Sequence, residues 1–285
     1  GRCIMSDQSK QPRKYLPAIH LIYRSSHFPM PDELAVANKI SFIEENLEMD
    51  QVDVTWNVQE PRKCVGRVQF KDQVIQIAGL PNPLPRKIVD HTIHFSIWQP
   101  QIKAAMRQHY AHLSLVYTGE NPDPVKQMVA LYETAHAFEN EDLLGIVNEG
   151  AWTAHPVADF LSPERIKTYR DEIPFILWVG YVKYYIDKQN YWLVTKGHHI
   201  FDVPDLAYFV EPDEDPDELL KHFVNLFFYM YEQEVTVTAG DSLEILGTGA
   251  YLRFSEVTDH EDFLMGPSGT LVIEKIQPDE INPTI

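Results

Sequence analysis

IPFILWVGYVKYYIDKQNYWLVTKGHHIFDVPDLAYF, residues Ile173–Phe209, is the stretch that decides the fold. Phe175–Ile186 and Tyr191–Thr195 are dense in aromatic and β-branched side chains, which suit a pleated surface buried on at least one face. Asp187-Lys188-Gln189-Asn190 supplies turn chemistry between them, so the stretch predicts an antiparallel β-hairpin. Trp178, Trp192, Tyr181, Tyr185 and Tyr191 make that hairpin the aromatic centre, with both tryptophans expected to be largely buried. This describes a core and not yet a chemistry.

Downstream, Asp215-Pro216-Asp217-Glu218 opens a helix: an Asp cap, Pro at the first position and an acid at the third. Leu219, Leu220, Phe223, Val224, Leu226, Phe227 and Met230 follow at helical spacing, and the stripe is wide. A helix over 216–231 is therefore expected to lie against the hairpin, covered on most of its circumference. Leu243–Leu246, Ala250–Phe254 and Thr270–Ile276 read as the closing strands.

Upstream, Ala18–Tyr23 is a short apolar strand, and Pro31 opens a helix with Val36, Ile40, Ile43 and Leu47 on one stripe. Val52–Val58, Cys64–Phe70 and Gln73–Ala78 follow as strands, and His91–Trp98 reads as another. Pro100 suits the first turn of a helix carrying Ile102, Ala105 and Met106 inward, before the strand His112–Thr118. A helix after Asp123-Pro124 buries Val125, Met128, Val129, Tyr132 and Ala135, and Leu144–Asn148 returns as a strand. Trp152–Leu161 reads as partly helical. The irregular alternation predicts α+β: two packed modules of mainly antiparallel sheet with covering helices. The boundaries are a disordered tail over 1–16, an N-terminal module over 17–150 and a C-terminal module over 151–285, the two modules inseparable.

Acidic residues outnumber basic ones by 42 to 24, a formal charge of −18. That excess repels nucleic acid phosphates and could steer a basic protein partner. No apolar run approaches the length of a membrane span, and the polar, basic N-terminus lacks the apolar middle of a signal peptide, so the cytoplasm is the expected compartment. Cys3 and Cys64 fall in no metal or redox spacing. Oligomeric state is left open.

Several motifs suggest chemistry. Gly240-Asp241-Ser242-Leu243 spells the nucleophile block of one esterase and lipase family, but Asp259-His260 has the wrong spacing for its partners, and a Gly-Asp turn into a strand explains it better. Among the histidines, His91 and His94, three apart on a strand, would point to opposite faces, and His198 and His199 would diverge if extended. Glu133-x-x-His136 with Glu139 one turn on has the helical spacing of one half of a di-iron site, but no second pair exists. A partly buried His136–Glu139 hydrogen bond is the expected role, and no metal is expected. The acidic run Glu211, Asp213, Glu214, Asp215, Asp217, Glu218 fails as a calcium loop, because Glu218 holds the glycine position and Val224 the place of the bidentate Glu. No P-loop or dinucleotide fingerprint is present, and no cofactor is expected.

Taken in order, Gly150-Ala151-Trp152, Ile176-Leu177-Trp178-Val179, Thr195-x-Gly197 with Phe201, the acidic loop before a long helix, and Gly240-Asp241-Ser242 resemble a bacterial family. It is known only as domain-of-unknown-function family 4261. Pro81-x-Pro83 and the segment His109–Thr118 extend the resemblance over most of residues 17–275. Asp202–Ala207 departs from the family's usual Gly and acidic strand end. The resemblance implies no catalytic residues and hints at a toxin–immunity context.

The leading expectation is a non-enzymatic, immunity-like protein-binding module that meets a basic partner through Glu211, Asp213, Glu214 and Asp217. A hydrolase or other enzyme is the alternative, and would need His136, Glu139, Glu149 or His198 to converge in a cleft. A structural or regulatory homo-oligomeric subunit is the third.

Overall fold

The computed structural model describes residues 15–26, 29–60, 62–158, 160–245, 248–258 and 261–281. Cys3 and the expected tail up to residue 14 lie outside them, as do Leu246 and Asp259-His260. The first half runs β1 (Ala18–Tyr23), α1 (Glu33–Ile43), β2 (Val52–Glu60), β3 (Lys63–Phe70), β4 (Gln73–Leu80), α2 (Arg86–Thr92), α3 (Pro100–Arg107), β5 (Ala111–Tyr117), α4 (Pro124–Ala137), β6 (Leu143–Asn148) and β7 (Thr153–Pro156). Its strands form one antiparallel sheet in the order β2-β3-β4-β5-β1-β6-β7. β1 lies between β5 and β6, so β1-α1-β4 and β5-α4-β6 are two interleaved split β-α-β units, with β2 and β3 added at one edge.

Alternation sorts the faces of this sheet. Ile19, Leu21 and Tyr23 with Leu113, Leu115 and Tyr117 share the core of α1 and α4. Ile22, Val147 and Ala154 turn to the opposite face and meet Ile93 and Met106 from the segment around α2 and α3. Asp32 caps α1, accepting from the Ala35 N–H at 2.7 Å, and Val36, Ala37, Ile40 and Ile43 are its buried stripe.

The second half adds α5 (Pro163–Thr168), α6 (Phe175–Trp178), β8 (Gly180–Tyr185), β9 (Tyr191–Lys196), β10 (Asp205–Val210), α7 (Pro216–Tyr231), β11 (Ser242–Ile245), β12 (Ala250–Glu256) and β13 (Thr270–Ile276). Its sheet is ordered β11-β12-β13-β10-β9-β8, and only the β10–β13 pairing is parallel. The fold is α+β. No helix among the described residues is long and apolar enough to cross a membrane. The two halves share one core: the Tyr132 ring of α4 packs edge-on to Tyr169 at 5.6 Å and lies 6.1 Å from Trp178.

Four expectations are corrected. His91–Trp98 is not a strand: α2 covers Arg86–Thr92 and a turn follows. Ile88, Val89, Thr92 and Ile93 carry a helical spacing that begins before His91. The Thr92 hydroxyl bonds back to the Ile88 carbonyl at 2.7 Å, and Arg86 pairs with Asp90 at 3.5 Å. Trp152–Leu161 contains strand β7 because β6 offers it an edge. Trp178 belongs to α6 and not to the hairpin, since Pro174 starts a helical turn that precedes Gly180. It is fully buried, whereas Trp192 is half-buried against Phe209. Ala105 is exposed, and Met106 alone of its helix is buried.

Candidate functional site

The hairpin β8–β9 divides its side chains between two concavities. Tyr184, on one face, lines a cleft of about 490 Å³ together with Asp90, His91, His94, Phe95, Trp152, Glu261, Asp262 and Phe263. Tyr181, Lys183 and Leu193, on the other face, line an apolar groove of about 690 Å³. Phe95 borders both.

The cleft is built from three separated segments of chain. The end of α2 delivers Asp90 and His91, and the turn after it delivers His94 and Phe95. His91 and His94 thus line one cleft, contrary to the strand reading, because a helical end replaces the alternation. Trp152 comes from the β6–β7 turn with φ of 50°, an uncommon conformation for so bulky a residue. Its indole is fixed by His91, stacked at 4.6 Å and 5°, and by the Lys196 ammonium 4.5 Å from the ring centroid. Tyr184 stacks on Phe263 at 3.7 Å, and Phe95 lies 5.8 Å from Trp152. Asp90, Glu261 and Asp262 are exposed at the rim. The result is a wall of rings edged by carboxylates, a surface that suits a cation.

Behind the wall lies a sealed polar knot. The Thr195 hydroxyl donates to Asp205 Oδ1 at 3.0 Å and accepts from the Leu206 N–H at 2.9 Å. His198 Nδ1 bonds the Pro204 carbonyl at 2.9 Å, and Lys196 Nζ donates to the Met265 carbonyl at 3.3 Å. Burial raises the Asp205 carboxyl to about 7 against the pull of Lys196, and lowers Lys196 to about 8 against the pull of Asp205. Burial likewise lowers His198 and His199 to about 4, so both are neutral. They sit in a 3-10 turn and not on a strand. Gly197, at φ 104°, and Gly180 let this knot approach the chain at Ala151: a Cβ on Gly180 would lie 1.8 Å from the Ala151 carbonyl oxygen. The close packing brings Gly150-Ala151-Trp152 and Thr195-x-Gly197 against each other.

The remaining residues singled out by sequence lie apart from the cleft. Glu133, buried in α4, points to Arg170, which bonds it at 2.6 Å and also bonds Glu44. Burial and the neighbouring Glu44 hold the Glu133 carboxyl above its ordinary range. Glu44 faces the same burial, but the hydrogen bonds of Glu133 and Lys71 and the charge of Arg170 bring it below its own. Glu133 therefore does not join His136 and Glu139, which pair with each other at 3.3 Å. Among the described residues no group of three or more His, Cys, Asp or Glu is placed to hold a metal ion. In the acidic run, Asp215 caps α7, and Glu214 accepts from the Tyr208 hydroxyl at 2.5 Å and lies 3.7 Å from Lys275. Glu211, Asp213 and Asp217 are exposed. Gly240-Asp241 is a turn entering β11, with Asp241 accepting from the Thr238 N–H at 2.7 Å.

Glu149 has a partner that the sequence did not suggest. His20 Nε2 lies 3.5 Å from its carboxylate, and His20 Nδ1 lies 2.8 Å from the Ser114 hydroxyl. The pairing with His20 lowers the Glu149 carboxyl. This hydroxyl–imidazole–carboxylate chain sits across β1 and β5, whose backbone N–H groups are committed to the sheet. It therefore lacks the converging donors that acyl transfer needs. His136, Glu139, Glu149 and His198 do not converge.

Asp90, Phe95, Glu261, Asp262 and Phe263 were missed by sequence reasoning. Trp152 carried a signal through its motif, and His91 and His94 through their spacing, which was read on a strand. Compared with family models, curated proteins and solved structures, the chain finds no match.

Proposed function

We propose that this chain is a protein-binding module whose acid-rimmed aromatic cleft receives a cationic side chain of a basic partner. The observation that carries the reading is the cleft itself: His91, Phe95, Trp152, Tyr184 and Phe263 edged by Asp90, Glu261 and Asp262. A guanidinium or ammonium gains from ring faces and carboxylates together, and more where water is excluded. The formal charge of −18, with Glu211, Asp213 and Asp217 exposed, supports steering of such a partner from a distance. The resemblance to the bacterial family supports an immunity-like role for such a module. Hydrolysis is the second reading; Ser114, His20 and Glu149 favour it, and the missing donors weigh against it.

The test uses acetyl-arginine amide as the probe, read by tryptophan fluorescence. Saturable binding that weakens with salt is expected, with the signal lost in Trp152→Phe. The triple variant Asp90→Asn, Glu261→Gln, Asp262→Asn should bind at least ten-fold more weakly, about 1.4 kcal/mol. Equal response to acetyl-glutamine amide would sink the reading.

A further inference from the structure

The apolar groove on the opposite face of the hairpin is a site of different chemistry. Its walls include Ile97, Ile176, Leu220 and Val224, with Lys183 and Lys221 among the lining residues. Ile97 is 56% exposed and Ile176 44%, large apolar side chains that a core would have covered. This corrects the expectation that α7 is covered on most of its circumference: its apolar stripe is wider than the core it packs against. Leu219, Phe223, Leu226, Phe227 and Met230 are buried, while Leu220 and Val224 are left facing the groove.

The charge at the groove is out of keeping with the chain. In a protein of 42 acids and 24 bases, both charged lining residues are lysines. Neither forms an ion pair among the described residues. Lys183 Nζ rests 5.8 Å from the Tyr191 ring centroid. Lysines often lay their stems over apolar surface with the ammonium in water, and that alone would ask for no ligand. Here they stand over a concavity of about 690 Å³, within the range of small-molecule sites.

We infer that the groove binds an aliphatic carboxylate, its chain against Ile97, Ile176, Leu220 and Val224 and its head between Lys183 and Lys221. A peptide laid in the groove would need a partner for each buried backbone group, whereas an alkyl chain needs none. The few polar lining groups suit a ligand with a single polar end.

Calorimetry with decanoate and decyltrimethylammonium, each below its micelle-forming concentration, and with decan-1-ol below its solubility limit tests this. Decanoate should bind one to one, and the alcohol and the cation more weakly. Exposed ion pairs contribute modestly, so Lys183→Gln with Lys221→Gln should weaken decanoate about ten-fold and leave decan-1-ol unchanged. Both substitutions are at exposed positions, and an unaltered melting curve will show that the fold is kept. Ile176→Asp should abolish binding of decanoate and decan-1-ol. Equal affinity for alcohol and carboxylate, indifference to the double substitution, or no binding of any probe would each overturn the inference. The cation cleft and its arginine probe are unaffected by these variants, so the two sites fail or stand separately.

Discussion

α4 and α7 begin alike and end in different surroundings. Each has an Asp cap followed by Pro, with the Asp carboxylate accepting a backbone N–H at 2.9 Å in α4 and 3.0 Å in α7. α4 is enclosed nearly all round by the first sheet, α1 and the second half, and even Gln127, Glu133 and Thr134 are buried. α7 buries one stripe and offers Leu220 and Val224 to the groove. The same opening signal thus precedes a helix that must neutralise its own polar residues and one that can leave apolar residues open. An enclosed helix is vulnerable through its charges; a half-open one is vulnerable through its packing only on the buried side.

The largest expected effect breaks the α4 side of this contrast. Arg170→Ala removes the guanidinium shared by Glu133 and Glu44 and should destabilise the chain by about 3–5 kcal/mol, because two apposed acids are left without that cation. Adding Glu133→Gln should restore more than half of the loss in urea titrations. Absence of rescue would mean that Arg170 acts through packing.

The next effect concerns the buried carboxylate of the second half. The folded Asp205 holds its proton to about 7, against 3.8 for the ordinary carboxyl. Between those values the native chain keeps a proton that the unfolded chain releases, so stability is complete at the acid end and falls as pH rises through the window. The change is about 4 kcal/mol at roughly 1.36 kcal/mol per pH unit. Asp205→Asn keeps the acceptor for Thr195 and should remove that slope. Melting temperatures of the two proteins should therefore diverge from pH 4 to pH 7, the variant gaining; parallel curves would show that Asp205 ionises freely.

The smallest effect sharpens the likeness. Asp123→Ala and Asp215→Ala should each cost about 1 kcal/mol, since the two caps are equivalent whatever the helices face. A loss at Asp123 several times that at Asp215 would mean that enclosure extends to the cap.

Sequence made the local elements legible where period and punctuation agreed. α7 spans the residues that its Asp-Pro start and apolar stripe indicated, and β13 coincides with Thr270–Ile276. His91–Trp98 was misread because Ile88 and Val89, which complete its helical period, precede the histidine. The cleft was invisible for a different reason. Asp90, Trp152, Tyr184 and Phe263 are brought together by two sheets meeting, and no spacing along the chain encodes that meeting. The His136–Glu139 pair was legible because both lie on one turn of helix; the Glu133–Arg170 pair was not, because its partners lie 37 residues apart.

The central place of β1 has a consequence for how the chain is made. Its partners β5 and β6 lie far downstream, with His20 facing Ser114 and Val147 across a separation of 94 residues to the first. During synthesis β1 therefore leaves the ribosome well before either of its neighbours. At about 5–20 residues per second, its two edges stand open for roughly ten seconds, the interval in which a chaperone would find them.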